Sequence, residues 1–327
     1  MHDQMPEASP RLEWASRRLS VATPPAKRPA IFSRPPSFRA APDFGRRLTI
    51  LAKRGKRGED GAAVLLALSV TCILSEPMNV SPLVEIESLT KVYGDFTAVA
   101  NLTIQVSRGE ILALLGPNGA GKTTTIRMLM GILQPSTGTA RINGLDCSRE
   151  RVEVMRLIGY LPDEPVFYDY LRGSEIIRFI GEMRGFTRED IQRRATPLVE
   201  RLELGDALEE FAVNYSKGMK KKLALICAML HDPVLLILDE PTNGLDPYAT
   251  RTLHALMRER VAEGKTVFFS THLLDQAEKL CDRVAIVYQG RLAAAGTLGE
   301  LREGLEPQST LEEVFFSLTK AADKSEA

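Results

Sequence analysis

The 327-residue chain predicts an α/β fold built on a largely parallel sheet. Strand-length apolar runs recur at Ile111–Leu115, Val234–Leu238 and Thr266–Ser270. Such runs suit strands covered on both faces. Helical segments, Thr123–Leu133 and Leu223–Leu230, lie between them. Alternation of this kind places helices over a parallel sheet.

The elements follow in chain order. Residues 1–77 are rich in Pro, Arg, Ala and Ser and show no sustained period. Pro24-Pro25, Pro29, Pro35-Pro36 and Pro42 break any regular element. The segment reads as a disordered extension, or as sequence outside the natural protein; a basic membrane-surface tether is the rival reading. It holds 13 Lys+Arg against 7 Asp+Glu, a net of +6, and the remainder balances it at −6. That split marks a boundary near Met78, where translation is expected to begin. Gly61–Ser75 is uncharged and apolar, but shorter than the roughly 20 residues of a membrane span. With Lys53-Arg54-Gly55-Lys56-Arg57 before it, it imitates a signal peptide, yet it lies far from the N-terminus.

Val84–Leu89 alternates as a first strand. The helix after Ile111–Leu115 is broken by Gln134-Pro135-Ser136-Thr137-Gly138, and the helix at 223–230 by His231-Asp232-Pro233. No internal repeat is present. Cys72, Cys147, Cys227 and Cys281 lack metal-ligand spacing and read as buried small hydrophobes in a reducing compartment. Lys220-Lys221-Lys222 reads as an exposed helix face and not as a nucleic-acid site.

Gly116-Pro117-Asn118-Gly119-Ala120-Gly121-Lys122-Thr123 fits G-x-x-x-x-G-K-[ST], with an apolar strand before it and a helix after. Glycines let backbone N–H groups wrap a compact polyanion, and the helix directs its positive end at it. Lys122 can reach the β and γ phosphates of a nucleoside triphosphate. The Thr123 hydroxyl can bind Mg²⁺, and Thr124 adds an α-phosphate contact. The strand Leu235–Leu238 ends in Asp239-Glu240. Asp239 is placed near the metal, and Glu240 can orient the attacking water and accept its proton.

With these residues in view, the chain resembles the ABC transporter ATPase family over about residues 84–316. Six motifs occur in order. Tyr93 matches the aromatic on which the family stacks adenine, and Gly116–Thr124 the phosphate loop. Tyr215-Ser216-Lys217-Gly218-Met219 stands where the family signature lies. Asp239-Glu240-Pro241-Thr242 matches the end of the second strand, Gly244-Leu245-Asp246-Pro247 the loop that touches a partner subunit, and Ser270-Thr271-His272 the switch histidine. The resemblance implies a P-loop NTPase fold of ABC ATPase type. Its parallel core carries an antiparallel β subdomain and a helical signature subdomain, with residues 317–327 as a polar tail. It also implies that Ser216 and Gly218 face the γ-phosphate of ATP held by a second subunit, that His272 contacts the γ-phosphate of this chain's own ATP or the water, and that Asp246 serves the dimer.

Two departures stand out. The usual L-S-G-G-Q reads Tyr-Ser-Lys-Gly-Met, and Asp163 stands where the family has Gln beside Mg²⁺ and water. Asp163 is carried over as a metal-sensing residue. The resemblance implies a transport ATPase of the ABC-2 exporter kind. It would be peripheral at the cytoplasmic face of the membrane and pair with a separate multispanning permease and a second nucleotide-binding subunit, homo- or heteromeric. Exposed aromatics in Val166–Leu171 would receive the permease. The alternative is a non-transport ABC ATPase of translation or DNA maintenance.

Overall fold

The computed structural model describes residues 81–303 and 309–325. The expectations for residues 1–77, for Cys72 and for a start at Met78 lie outside the described residues.

Two sheets organise the chain. The first joins β1 (Val84–Tyr93), β2 (Phe96–Val106), β4 (Thr137–Ile142) and β5 (Leu145–Asp146) in the order β2-β1-β4-β5, every pair antiparallel. The second joins β3 (Ile111–Leu115), β6 (Ile158–Leu161), β7 (Leu235–Leu238), β8 (Thr266–Thr271), β9 (Arg283–Tyr288) and β10 (Arg291–Gly296) in the order β10-β9-β3-β8-β7-β6. It is parallel throughout except for its edge strand β10.

The central strands are apolar because both their faces are covered. Every residue of β3, β7 and β8 is buried. Their register aligns Leu115 with Thr271, Leu238 with Phe269, and Leu161 with Leu238. The C-terminal ends of four parallel strands therefore share one edge, where open α/β sheets bind ligands. The residues that follow those ends are Gly116, Pro162-Asp163, Asp239-Glu240 and His272.

A helical layer follows β6: α3 (Gly173–Met183), α4 (Arg188–Arg201) and α5 (Lys217–Met229). Tyr215, just before α5, is buried and donates its hydroxyl to the Ala207 carbonyl at 2.6 Å. Gly173 makes room for it, since a Cβ there would lie 2.2 Å from the Tyr215 oxygen. The remaining helices are α1 (Lys122–Leu129), α2 (Arg151–Leu157), α6 (Pro247–Ala262), α7 (Leu274–Leu280), α8 (Leu298–Leu301) and α9 (Leu311–Ser325).

Four expectations need comment. The first helix ends at Leu129, short of Leu133, because Gly131 takes φ +61 beside the Cys147 carbonyl. The lysine run at 220–222 is not an exposed face: Lys221 is 1% exposed. The boundary at residue 316 falls inside α9, whose Leu311, Val314, Phe315 and Leu318 form one apolar stripe against the core. Residues expected as a polar tail are thus helical up to Ser325. Cys147 and Cys227 are free and buried, and burial pushes each thiol up to about 12, whereas Cys281 is only half-buried. Among the described residues no helix is long and apolar enough to cross a membrane.

Phe268 is fully buried on β8, between β3 and β7. Phe268→Ala is expected to lower stability by about 3–5 kcal/mol. In urea unfolding the midpoint falls while the slope stays constant; an unchanged midpoint contradicts this packing.

Candidate nucleotide site

The loop Gly116–Gly121 connects β3 to α1. Gly116 N–H donates to the Thr271 carbonyl at 3.2 Å, which ties the loop to the end of β8. Gly121 has φ +95, and a Cβ there would lie 2.5 Å from the Ala98 carbonyl, so only glycine fits. It is the N-cap of α1 and offers no side-chain acceptor. The first N–H groups of the helix are left to an anion. Pro117, Asn118 and Gly119 are exposed, Ala120 is buried, and Thr124 is half-buried. A cavity of about 300 Å³ opens against Gly116, Pro117, Asn118, His272, Leu274 and Phe315, so α9 also borders the loop.

Six of the expected residues come together here. Lys122 is 6% exposed and donates to the Gly116 and Pro117 carbonyls at 2.7 and 3.2 Å. Its Nζ also lies 3.1 Å from Glu240 Oε1, an ion pair without hydrogen-bond alignment. Thr123 Oγ1 donates to Asp239 Oδ1 at 3.3 Å, and Ser270 Oγ donates to the same oxygen at 2.6 Å. Burial raises the Asp239 carboxyl above the usual range, and these two bonds oppose the shift. His272 Nδ1 lies 2.9 Å from Glu240 Oε2. Asp163 is half-buried, and its Oδ1 accepts from Lys221 Nζ and Asn243 Nδ2, each at 3.3 Å.

Glu240 has φ +43, in the left-handed region that a glutamate rarely adopts. Such strain persists only where the surroundings over-determine it. Here the Glu240 N–H donates to Ser270 Oγ at 2.9 Å. Its carbonyl accepts from Lys221 Nζ at 2.6 Å and from Asn243 N at 3.2 Å.

Tyr93, Ser216, Gly218 and Asp246 lie on other elements. Tyr93 is half exposed at the end of β1, with Lys91 Nζ 5.2 Å from its ring centroid. Ser216 caps α5, and its hydroxyl accepts from Met219 N at 3.2 Å. A Cβ on Gly218 would meet the Gly244 carbonyl at 2.9 Å, so the start of α5 packs against the 244–247 loop. Asp246 caps α6, accepting from Ala249 N at 2.8 Å, and that bond holds its carboxyl below the usual range.

The sequence assigns no site role to Ser270, Lys221 or Asn243. A signal existed for Lys221: it stands three residues before Ala224 and seven before Ala228, so it shares a helix face with two buried alanines.

Thr123 and Asp239 offer two hard oxygens side by side. Among the described residues no group of three or more His, Cys, Asp or Glu could hold a metal. Mg²⁺ needs no such cage, since it is held by one or two protein oxygens together with substrate phosphates. The donor set fits a Mg–nucleotide.

The sequence pattern of the family described as "ABC transporter" matches residues 99–243. The chain is 41% identical to "Uncharacterized ABC transporter ATP-binding protein YxlF" of Bacillus subtilis (strain 168), over 68% of this chain and 73% of the relative. It is 39% identical to "Daunorubicin/doxorubicin resistance ATP-binding protein DrrA" of Streptomyces peucetius, over 70% of each. A solved structure titled "Structure of ATP binding subunit of ABC transporter" superposes with a TM-score of 0.69 at 37% identity, covering 72% of this chain and 99% of that one. Family pattern, relatives and fold agree with the geometry of the phosphate loop and its acids: the chain belongs to the ABC transporter ATP-binding proteins, an ATPase family.

Proposed function

We propose that this chain binds ATP with Mg²⁺, pairs with a second nucleotide-binding subunit around it, and hydrolyses it to drive a separate membrane permease. The observation that carries the reading is the setting of Glu240, held between Lys122 and His272 at the shared edge of the parallel strands.

Each residue has a task. Backbone N–H groups from Gly116 to Thr123 and the start of α1 take the phosphates. Lys122 moves from its carboxylate partner to the β and γ phosphates and leaves Glu240 free to receive the water. Thr123 and Asp239 hold Mg²⁺, which offsets phosphate charge when bound. Glu240 orients the water and accepts its proton. His272 keeps the Glu240 carboxylate in place, and Tyr93 offers its exposed ring to adenine. Ser216 and Gly218, at the positive end of α5, serve the γ-phosphate of the other chain's ATP. Asp246 fixes the loop that lies between subunits, and Asp163 faces the metal and water from β6. The ATP-binding domain is placed at residues 84–316, together with the rest of α9.

Val166, Tyr168 and Tyr170 are 90%, 73% and 84% exposed just after β6. This apolar surface supports docking of a cytoplasmic helix of the permease, which would hold the chain at the cytoplasmic face of the membrane. The drug-resistance name of the Streptomyces relative supports export.

Two outcomes test the reading. Glu240→Gln is expected to bind ATP, accumulate as a dimer and hydrolyse about a hundredfold or more slowly. Parental phosphate release by this variant removes Glu240 from the role. Lys122→Ala and Ser216→Arg are each expected to be silent alone, while an equal mixture regains hydrolysis. In a mixed dimer one site keeps Lys122 of one chain and Ser216 of the other. A mixture as silent as its components contradicts a shared site.

A further inference from the structure

Three carboxylates, Asp163, Asp239 and Glu240, converge at the ends of β6 and β7. Two lysines stand among them. Lys122 belongs to the phosphate loop. Lys221, on α5, has no part in the reading above, yet it is only 1% exposed. A buried ammonium is unfavourable unless it is paired and hydrogen-bonded. Lys221 meets both conditions with groups of other elements. Its Nζ donates to the Glu240 carbonyl at 2.6 Å and to Asp163 Oδ1 at 3.3 Å. Lys217, one turn earlier on α5, goes instead to Glu164 at 3.4 Å.

The Glu240 carbonyl belongs to the residue at φ +43, so Lys221 grips a strained peptide. Without the ammonium, that carbonyl keeps, among the described residues, only Asn243 N at 3.2 Å. Among the described residues Asp163 would keep only Asn243 Nδ2, a neutral donor, against a carboxylate beside Asp239 and Glu240.

We propose that Lys221 is a positioning residue for hydrolysis: its ammonium holds the Glu240 peptide in its strained conformation and offsets the Asp163 carboxylate. It touches neither nucleotide nor water and acts through Glu240. Asp163 is tolerable beside the water because Lys221 neutralises it. The proposal rests on Glu240 as the proton acceptor.

The test is a double-mutant cycle on the full chain with Lys221→Met, Asp163→Asn and both together. Phosphate release, ATP affinity and thermal unfolding are measured on each. Lys221→Met is expected to lower kcat about tenfold or more while ATP affinity stays within about threefold, the signature of a lost transition-state arrangement. Adding Asp163→Asn is expected to recover part of the rate, so that the double loss is smaller than the product of the single losses. Parental kcat in Lys221→Met overturns the proposal, as do losses that simply multiply. A fall in thermal midpoint with kcat per folded chain unchanged also overturns it, because that is a structural role alone. If Lys221→Met does not fold, the double variant decides: a folded double supports the pairing, and a double that also fails to fold overturns it. Glu240→Gln in the same series separates the two readings. If it turns over normally, the catalytic reading fails; if it is silent while Lys221→Met is parental, only the role of Lys221 fails.

Discussion

Burying two adjacent carboxylates at the end of a central strand is unfavourable unless each finds partners. Asp239 and Glu240 are 2% and 7% exposed, and the nearby structure is arranged around them. Asp239 is held by Thr123 from the phosphate loop and Ser270 from β8. Glu240 is held by Lys122, His272, Ser270 and Lys221. These partners come from α1, α5 and the end of β8, elements far apart in the chain that meet only because β3, β8 and β7 are parallel neighbours. Strand order is therefore what creates the site, and the covered apolar faces of those strands are what maintain strand order.

Much of this was legible in the sequence, for a physical reason. A strand buried on both faces must be apolar throughout, so β3 is found at its exact bounds, and β7 and β8 are each found to within one residue. The glycines of the phosphate loop announce themselves because few other residues permit such backbone angles, and the lysine because its long cationic side chain can reach a phosphate. Less was visible where meaning depends on long-range pairing. Lys221 looks like one charge in a run of three, and charges default to solvent. Its partner Asp163 stands 58 residues away, across a helical layer. Ser270 was in view as a neighbour of His272, but its bridge between Asp239 and the Glu240 N–H needs the strand register to be known. The continuation of α9 beyond residue 316 was likewise hidden, because its apolar stripe matters only once there is a core to pack against.

One residue of the signature and the residue at 163 also take on a physical sense. Tyr215, where the pattern has leucine, is a buried anchor whose hydroxyl ties the start of α5 to the Ala207 carbonyl. Asp163, where the pattern has glutamine, is one half of an ion pair with a buried lysine. The site is thus more charged than the pattern suggests, and Lys221 offsets the added carboxylate. Fold and family alone assign no cargo, but they do define the energetic problem: phosphate charge must enter a place already holding three carboxylates.

In the proposed mechanism one chain supplies the phosphate loop and acids while a second chain completes the site. The most direct measurement is the rate of phosphate release per chain with Mg–ATP, taken across a wide range of chain concentration. The rate per chain is expected to rise with concentration and level off as dimers form. A rate per chain that stays constant down to concentrations where the protein sediments as a monomer in the presence of ATP would contradict it.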